Sequence, residues 1–211
     1  YFNRSDERAR PHSGTALVVG FERGRLDRRG PGGRLGGGMS REQAPHPASL
    51  DDEALRRQCR AERARGSGPG GQRRNKTETA VRLVHEPTGL AGQAGERRSQ
   101  AENERAALRR LRLSLALELR HEPAATPSEL WRARQQGTRL AVNPKHRDVP
   151  ALIAEAMDRI AACRWDVSRA ARSFGVSISQ LVRLLSIEPA ALERVNAERE
   201  KRGQKRLQSK R

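Results

Sequence analysis

Aromatic residues are scarce. Two Trp, one Tyr and three Phe amount to 3% of the 211 residues, and the hydrophobic share is only 35%. That is too little apolar surface to pack the whole chain around one core, so one or two small domains with unfolded flanks are expected. Cysteine is nearly absent. Cys59 and Cys163 stand alone, which excludes a disulfide framework and a zinc site and fits a reducing compartment. The five His are scattered, so neither a metal nor a cofactor is expected. No apolar run approaches the ~20 residues of a membrane span. Ala16–Val19 is too short for the core of a signal peptide, and the expected location is the cytoplasm. Lysine is rare too, at five positions against 38 for Arg. With abundant Gly, Ala and Pro, that bias is what GC-rich coding writes, and it says little about Arg being chosen for its chemistry.

Positive charge is what the chain has in excess. Forty-three basic residues face 25 acidic ones, a net charge of +18. Solubility does not require so much, so a polyanionic partner is expected, nucleic acid first. The charge is spread unevenly. Residues 1–38 carry eight Arg, four acids and nine of the 19 Gly, with no periodicity. They read as disordered. The compositional break predicts that Met39 is the natural start and that 1–38 is translated upstream sequence. Residues 199–211 hold seven bases and one acid. This is a basic tail with Lys201, Arg202, Lys205, Arg206, Lys210 and Arg211, suited to nucleic-acid phosphates or simply solvated.

Between these flanks the pattern is α+β. Residues 39–54 read as a Pro-rich linker and the start of a short helix at Asp51, Asp52 and Glu53. Alternation over Gln58–Arg65 and again over Glu78–His85 predicts strands, the second with Thr79, Val81, Leu83 and His85 on one face. Glu86-Pro87-Thr88-Gly89 is a turn, and Leu90–Ala94 returns as a weak strand. Ser99-Gln100-Ala101-Glu102 is a capping box opening a long helix with Leu108, Leu111, Leu115 and Leu119 as its stripe. A small hairpin or sheet packed on that helix would make a compact domain over 55–122. Residues 123–148 read as a connector that Trp131 pins to a neighbour. Residues 149–198 read as a small all-helical module, with caps at Asp148, Asp166 and Ser177 and a turn at Gly175. Helix, Gly turn, helix at this spacing resembles a helix-turn-helix.

The chemistry concentrates in Gly66–Leu83. Four Gly and one Pro precede Gln72, and Arg73, Arg74, Asn75 and Lys76 follow it. Gly70 and Gly71 permit close approach to another molecule, and the cations can hold the loop on phosphates. No Ser-His-Asp set, Cys-His pair or paired carboxylates lie nearby, so an enzyme built here would position water. Gly-Gly-Gln alone is a weak signal. The longer run is specific. Gly66-Ser67-Gly68-Pro69-Gly70-Gly71-Gln72, Asn75-Lys76-Thr77-Glu78-Thr79-Ala80-Val81-Arg82-Leu83, His85-Glu86-Pro87-Thr88-Gly89 and Glu96–Asn103 together closely resemble the catalytic domain of class I peptide chain release factors.

That resemblance implies a peptidyl-tRNA ester hydrolase acting in the peptidyl-transferase centre. Gln72 would place the water and offer its backbone N–H, while Gly70 and Gly71 aim it. Arg73, Arg74, Asn75 and Lys76 would brace the loop on rRNA. Arg97, Arg98 and Gln100 match a further family segment, either as rRNA contacts or as hairpin–helix packing. Arg73-Arg74 stand where the family usually has His-Val. Only residues 1–54 precede the domain, so no codon-reading domain is expected. The chain resembles the short codon-independent group that rescues stalled ribosomes. The implied partners are large-subunit rRNA and peptidyl-tRNA, with the tail on small-subunit rRNA or in an empty mRNA channel, and the protein is expected to act as a monomer. The alternatives are a helix-turn-helix DNA-binding regulator and a non-catalytic rRNA-binding protein. Segment 149–198 has six bases and six acids, less positive than a major-groove reader normally is.

Overall fold

The computed structural model describes residues 45–64 and 79–209. A single turn of 3-10 helix at Pro47–Ser49 leads into α1 (Asp52–Arg57), capped by the Asp51 carboxylate, which accepts from the Ala54 N–H at 2.7 Å. Strands β1 (Cys59–Ala64), β2 (Ala80–His85) and β3 (Ala91–Ala94) form an antiparallel sheet in that order. Cys59 pairs with His85 and Ala64 with Ala80, while Val81 pairs with Ala94. The expected face is the buried one: Val81, Leu83 and His85 point inward, and Arg82 is exposed. The β2–β3 turn closes at Gly89, whose φ is +71°.

Helix α2 (Gln100–Glu118) lies on this sheet. Leu108, Leu111, Leu115 and Leu119 are all buried, as the periodicity predicts. The contact is unusually close at Gly92. A Cβ there would overlap the Ala107 carbonyl oxygen and the Leu111 backbone nitrogen. Glycine is therefore required by helix–sheet distance and not by its turn chemistry. On its other side α2 holds the N-terminal segment. Buried Arg112 donates to the carbonyl oxygens of Ala48 (3.1 Å) and Leu50 and to the Asp52 carboxylate (2.6 Å).

The expected connector contains structure of its own. Helix α3 (Glu129–Arg134) is capped by Ser128, whose hydroxyl accepts from the Trp131 N–H at 3.1 Å. A two-residue-per-strand hairpin follows, β4 (Gln135–Gln136) with β5 (Arg139–Leu140), turning at Gly137 with φ +59°. Elements this short leave no periodicity to read. Trp131 is fully buried and does pin the segment: its ring stacks on Phe174 with centroids 3.8 Å apart.

Four helices complete the described chain: α4 (Val149–Ala162), α5 (Val167–Phe174), α6 (Ile178–Leu185) and α7 (Pro189–Glu200). Asp166 caps α5, Ser177 caps α6, and Gly175 ends α5 at φ +67°. Asp148 caps nothing with its side chain. The Arg134 guanidinium takes that carboxylate at 2.6 Å instead. The apolar stripe of α4 packs against α2, so one continuous buried cluster runs from Ala48 to Val195. Polar ties reinforce the junction: the His121 N–H donates to Asp158 at 3.0 Å, and Arg194 pairs with Glu118.

Candidate functional site

Gly70, Gly71, Gln72, Arg73, Arg74, Asn75 and Lys76 lie outside the described residues. Their frame is described. Ala64 and Ala80 are paired in register, so the chain leaves β1 and re-enters β2 at one end of the sheet. β3 ends at the same end, because Val81 faces Ala94, and the chain then runs through Arg97 and Arg98 into α2.

Asn103 joins these pieces. Its side chain is 0% exposed. The amide nitrogen donates to the carbonyl oxygens of Thr79 (2.7 Å) and Arg97 (2.9 Å), and the amide oxygen accepts from the Arg97 N–H (2.9 Å). One buried amide therefore fixes the entry to β2 against the segment that carries Arg97 and Arg98. Both arginines are exposed, and Gln100 is half-buried in the first turn of α2. Among the described residues no carboxylate is ion-paired with Arg97 or Arg98. The nearby Glu96 is taken by Arg110 at 2.6 Å, and that hydrogen bond, first among several, lowers its pKa. Thus the two cations lie beside the frame of the Gly-Gly-Gln segment, while the acid that precedes them is paired with Arg110.

His85 is buried without being catalytic in appearance. Its ring nitrogens lie 2.8 Å from the Thr88 hydroxyl and 2.9 Å from the Gln58 side-chain oxygen, and burial lowers its pKa. Among the described residues no group of three His, Cys, Asp or Glu could hold a metal ion, and no helix is long and apolar enough to cross a membrane.

The basic tail is not free along its described length. Lys201 and Arg202 both pair with Glu198 at 2.7 Å. Arg206 reaches Glu193 (2.6 Å) and Glu200 (2.8 Å). Asn196, 1% exposed, accepts from the Leu207 N–H at 2.7 Å and donates to the Leu207 carbonyl oxygen at 3.1 Å. Arg199 donates to the Lys205 carbonyl oxygen and to that of Trp165. The chain after α7 thus doubles back along that helix. Lys205 is exposed, and Lys210 and Arg211 lie outside the described residues.

The RF-1 domain family matches residues 51–148, a span that holds the sheet, α2, the Asn103 clasp and the Gly-Gly-Gln segment. Residues 51–148 are thus similar to an RF-1 domain. The match runs beyond 122, through α3 and the small hairpin. A mitochondrial peptide chain release factor 1 of Bos taurus is 44% identical over 79 residues, 37% of this chain and 18% of the relative. Peptide chain release factor 1 of Parafrankia sp. is 39% identical over 94 residues, 44% of this chain and 26% of the relative. Peptide chain release factor 2 of Sulfurovum sp. is 44% identical over 66 residues, 31% of this chain and 18% of the relative. The chain therefore covers between about a fifth and a quarter of the length of these relatives. No solved structure matches.

The run from Gly66 to Asn103 carries the likeness in sequence, while what holds the frame of the Gly-Gly-Gln segment shows only in the fold. Asn103 closes the Glu96–Asn103 run of the resemblance, and nothing in the sequence marks its side chain as a buried clasp. No local pattern singles out Gly92 within the weak strand Leu90–Ala94, or Arg112 within the long helix.

Proposed function

We propose that this protein hydrolyses the ester joining a nascent peptide to tRNA in the peptidyl-transferase centre of cytoplasmic ribosomes, without reading a codon. The observation that carries the reading is the place of Gly70-Gly71-Gln72. It lies inside the RF-1 match, in the segment between the paired residues Ala64 and Ala80. In this reading Gln72 orients the attacking water, and its backbone N–H stabilises charge on the reacting ester. One such preorganised donor is worth about 3–4 kcal/mol, and positioning adds several more. No protein nucleophile is needed. Arg73, Arg74, Asn75 and Lys76 brace the loop on large-subunit rRNA, with Arg97, Arg98 and Gln100 beside them.

The described residues that follow the match, 149–209, form helices and the tail. In the proposal these dock a monomer on the ribosome in place of a codon-reading domain. The tail's last cations reach small-subunit rRNA or an empty mRNA channel. Each surface ion pair on α7 is worth about 0–1 kcal/mol, so a polyanion can outcompete Glu193, Glu198 and Glu200 for the tail.

The test is peptide release from purified ribosomes holding peptidyl-tRNA. Release should be equally fast on an mRNA ending in a sense codon and on one ending at a stop codon. Release confined to the stop codon would overturn codon independence. Specific retention of duplex DNA without any release would favour the regulator.

A further inference from the structure

The helical region 149–198 has no net charge, yet the fold sorts its charges in space. Acids of α7 are occupied by the tail: Glu193 and Glu200 by Arg206, Glu198 by Lys201 and Arg202. Arg139 on β5 and Arg183 on α6 are exposed, and among the described residues neither is ion-paired.

These two arginines line one cleft of about 290 Å³ between the β4–β5 hairpin and α6. The cleft is built, because three hydrogen bonds fix the hairpin. The Ser177 N–H donates to the Thr138 carbonyl oxygen (3.3 Å), the Leu140 N–H to the Gln180 side-chain oxygen (3.2 Å), and the Gln135 side chain to the Gly175 carbonyl oxygen (3.2 Å). Leu140, Leu184 and Ile187 supply apolar wall, Gln136 and Gln180 supply amides, and no lining residue is acidic.

Each component answers one part of a nucleotide. The apolar wall accepts the face of a base, amides bond its edge, and two arginines meet the phosphates on either side. A base already stacked in a helix has no free face to offer, so the ligand must be unstacked. We infer that this cleft binds an unpaired nucleotide of a single-stranded RNA segment, with Arg139 and Arg183 on the flanking phosphates. The choice of RNA over DNA rests on the ribosomal reading above; the cleft's affinity for a single strand does not. Arg183 thereby acquires a partner that the sequence places 44 positions away.

Binding of the full chain to a labelled RNA strand of about eight nucleotides tests this. The comparison is with an RNA duplex and a DNA strand of the same sequence. The tail gives the same background in every variant. Arg139→Ala combined with Arg183→Ala should weaken strand binding about tenfold. It should also reduce the slope of log affinity against log salt by about 1.4, the loss of two phosphate contacts on a single strand. Thermal unfolding should not change, since both side chains are exposed. Unchanged affinity and slope would overturn the proposal, as would duplex RNA bound as tightly as the strand. A DNA strand bound more tightly than RNA would overturn the choice of RNA. Peptide release by the wild-type protein without strand binding would sink the cleft alone. Strand binding lost in the double variant, from a wild type that releases no peptide, would sink the hydrolase and keep the cleft.

Discussion

The side-chain amide of Asn103 donates to the carbonyl oxygen of Thr79 at 2.7 Å, from a residue with no exposed surface. Thr79 is the first described residue after the Gly-Gly-Gln segment. The same amide clasps the Arg97 backbone from both sides. Asn103→Ala leaves one buried N–H and two carbonyl groups without this partner. It should cost about 3 kcal/mol in unfolding experiments. Asn103→Asp keeps the acceptor for Arg97 and loses both donations. In the proposed function it should slow peptide release at temperatures where circular dichroism shows an intact fold. Full release by a folded Asn103→Asp protein would disconnect this clasp from the chemistry.

Gly92 makes a prediction about stability alone. A methyl group there collides with backbone of α2 at Ala107 and Leu111, not with a flexible side chain. The helix must lift off the sheet, which should cost about 3 kcal/mol, the upper part of the usual overpacking range. Chemical denaturation of Gly92→Ala measures it. A loss below about 1 kcal/mol would show that the helix–sheet distance is soft.

Two groups at the α2–α4 junction should give opposing responses to acid. Burial, helped by His121 and Arg120, lowers the His46 pKa from 6.5 to about 3. The folded protein then binds fewer protons than the unfolded chain, so this contribution is complete above pH 6.5 and is lost as pH falls toward 3. Burial raises the Asp158 pKa from 3.8 to about 6, against the His121 N–H and Arg120. That contribution is complete below pH 3.8 and is lost as pH rises through 6. Between these limits the two slopes cancel. Asp158→Asn keeps an acceptor for the His121 N–H and removes the opposing slope. Its stability relative to wild type should fall by up to about 1.4 kcal/mol for each pH unit between 6 and 4. Parallel stability curves for the two proteins would contradict the assignment.

The tail supplies a prediction about exposure. Asn196 holds Leu207 by two hydrogen bonds, next to the Arg206 pairs with Glu193 and Glu200. Asn196→Ala should release residues 203–209 and accelerate tryptic cleavage after Lys205 and Arg206 several-fold, since cleavage follows the population of the open form. Equal cleavage rates would mean that the ion pairs alone fix the tail.

What could be read from the sequence was local. The Leu108–Leu119 stripe, the Val81–His85 alternation, the caps at Ser99, Asp166 and Ser177 and the turn at Gly175 all operate within a few residues. What could not be read depends on neighbours far along the chain. Gly92 is small because Leu111 is there, and Asn103 is buried because Thr79 and Arg97 need it. Asp148 gave up its expected cap to Arg134. The β4–β5 hairpin is too short to show a period. A tail read as free cations is folded onto α7 because acids of that helix face it. Net charge misled for the same reason, since a sum of zero over 149–198 conceals which charges meet.

Hydrolysis through the Gly-Gly-Gln segment underlies the proposed function. It is tested most directly by the single-turnover rate of peptide release from ribosomes stalled on an mRNA without a stop codon, wild type against Gln72→Ala and Gly71→Ala. The wild-type protein should release the peptide. Rates for Gly71→Ala should fall by about 100-fold or more through the misplaced Gln72 N–H, with a smaller loss for Gln72→Ala, which keeps that donor, and with ribosome binding retained in both. Full release by both variants, or none by the wild type, would contradict it.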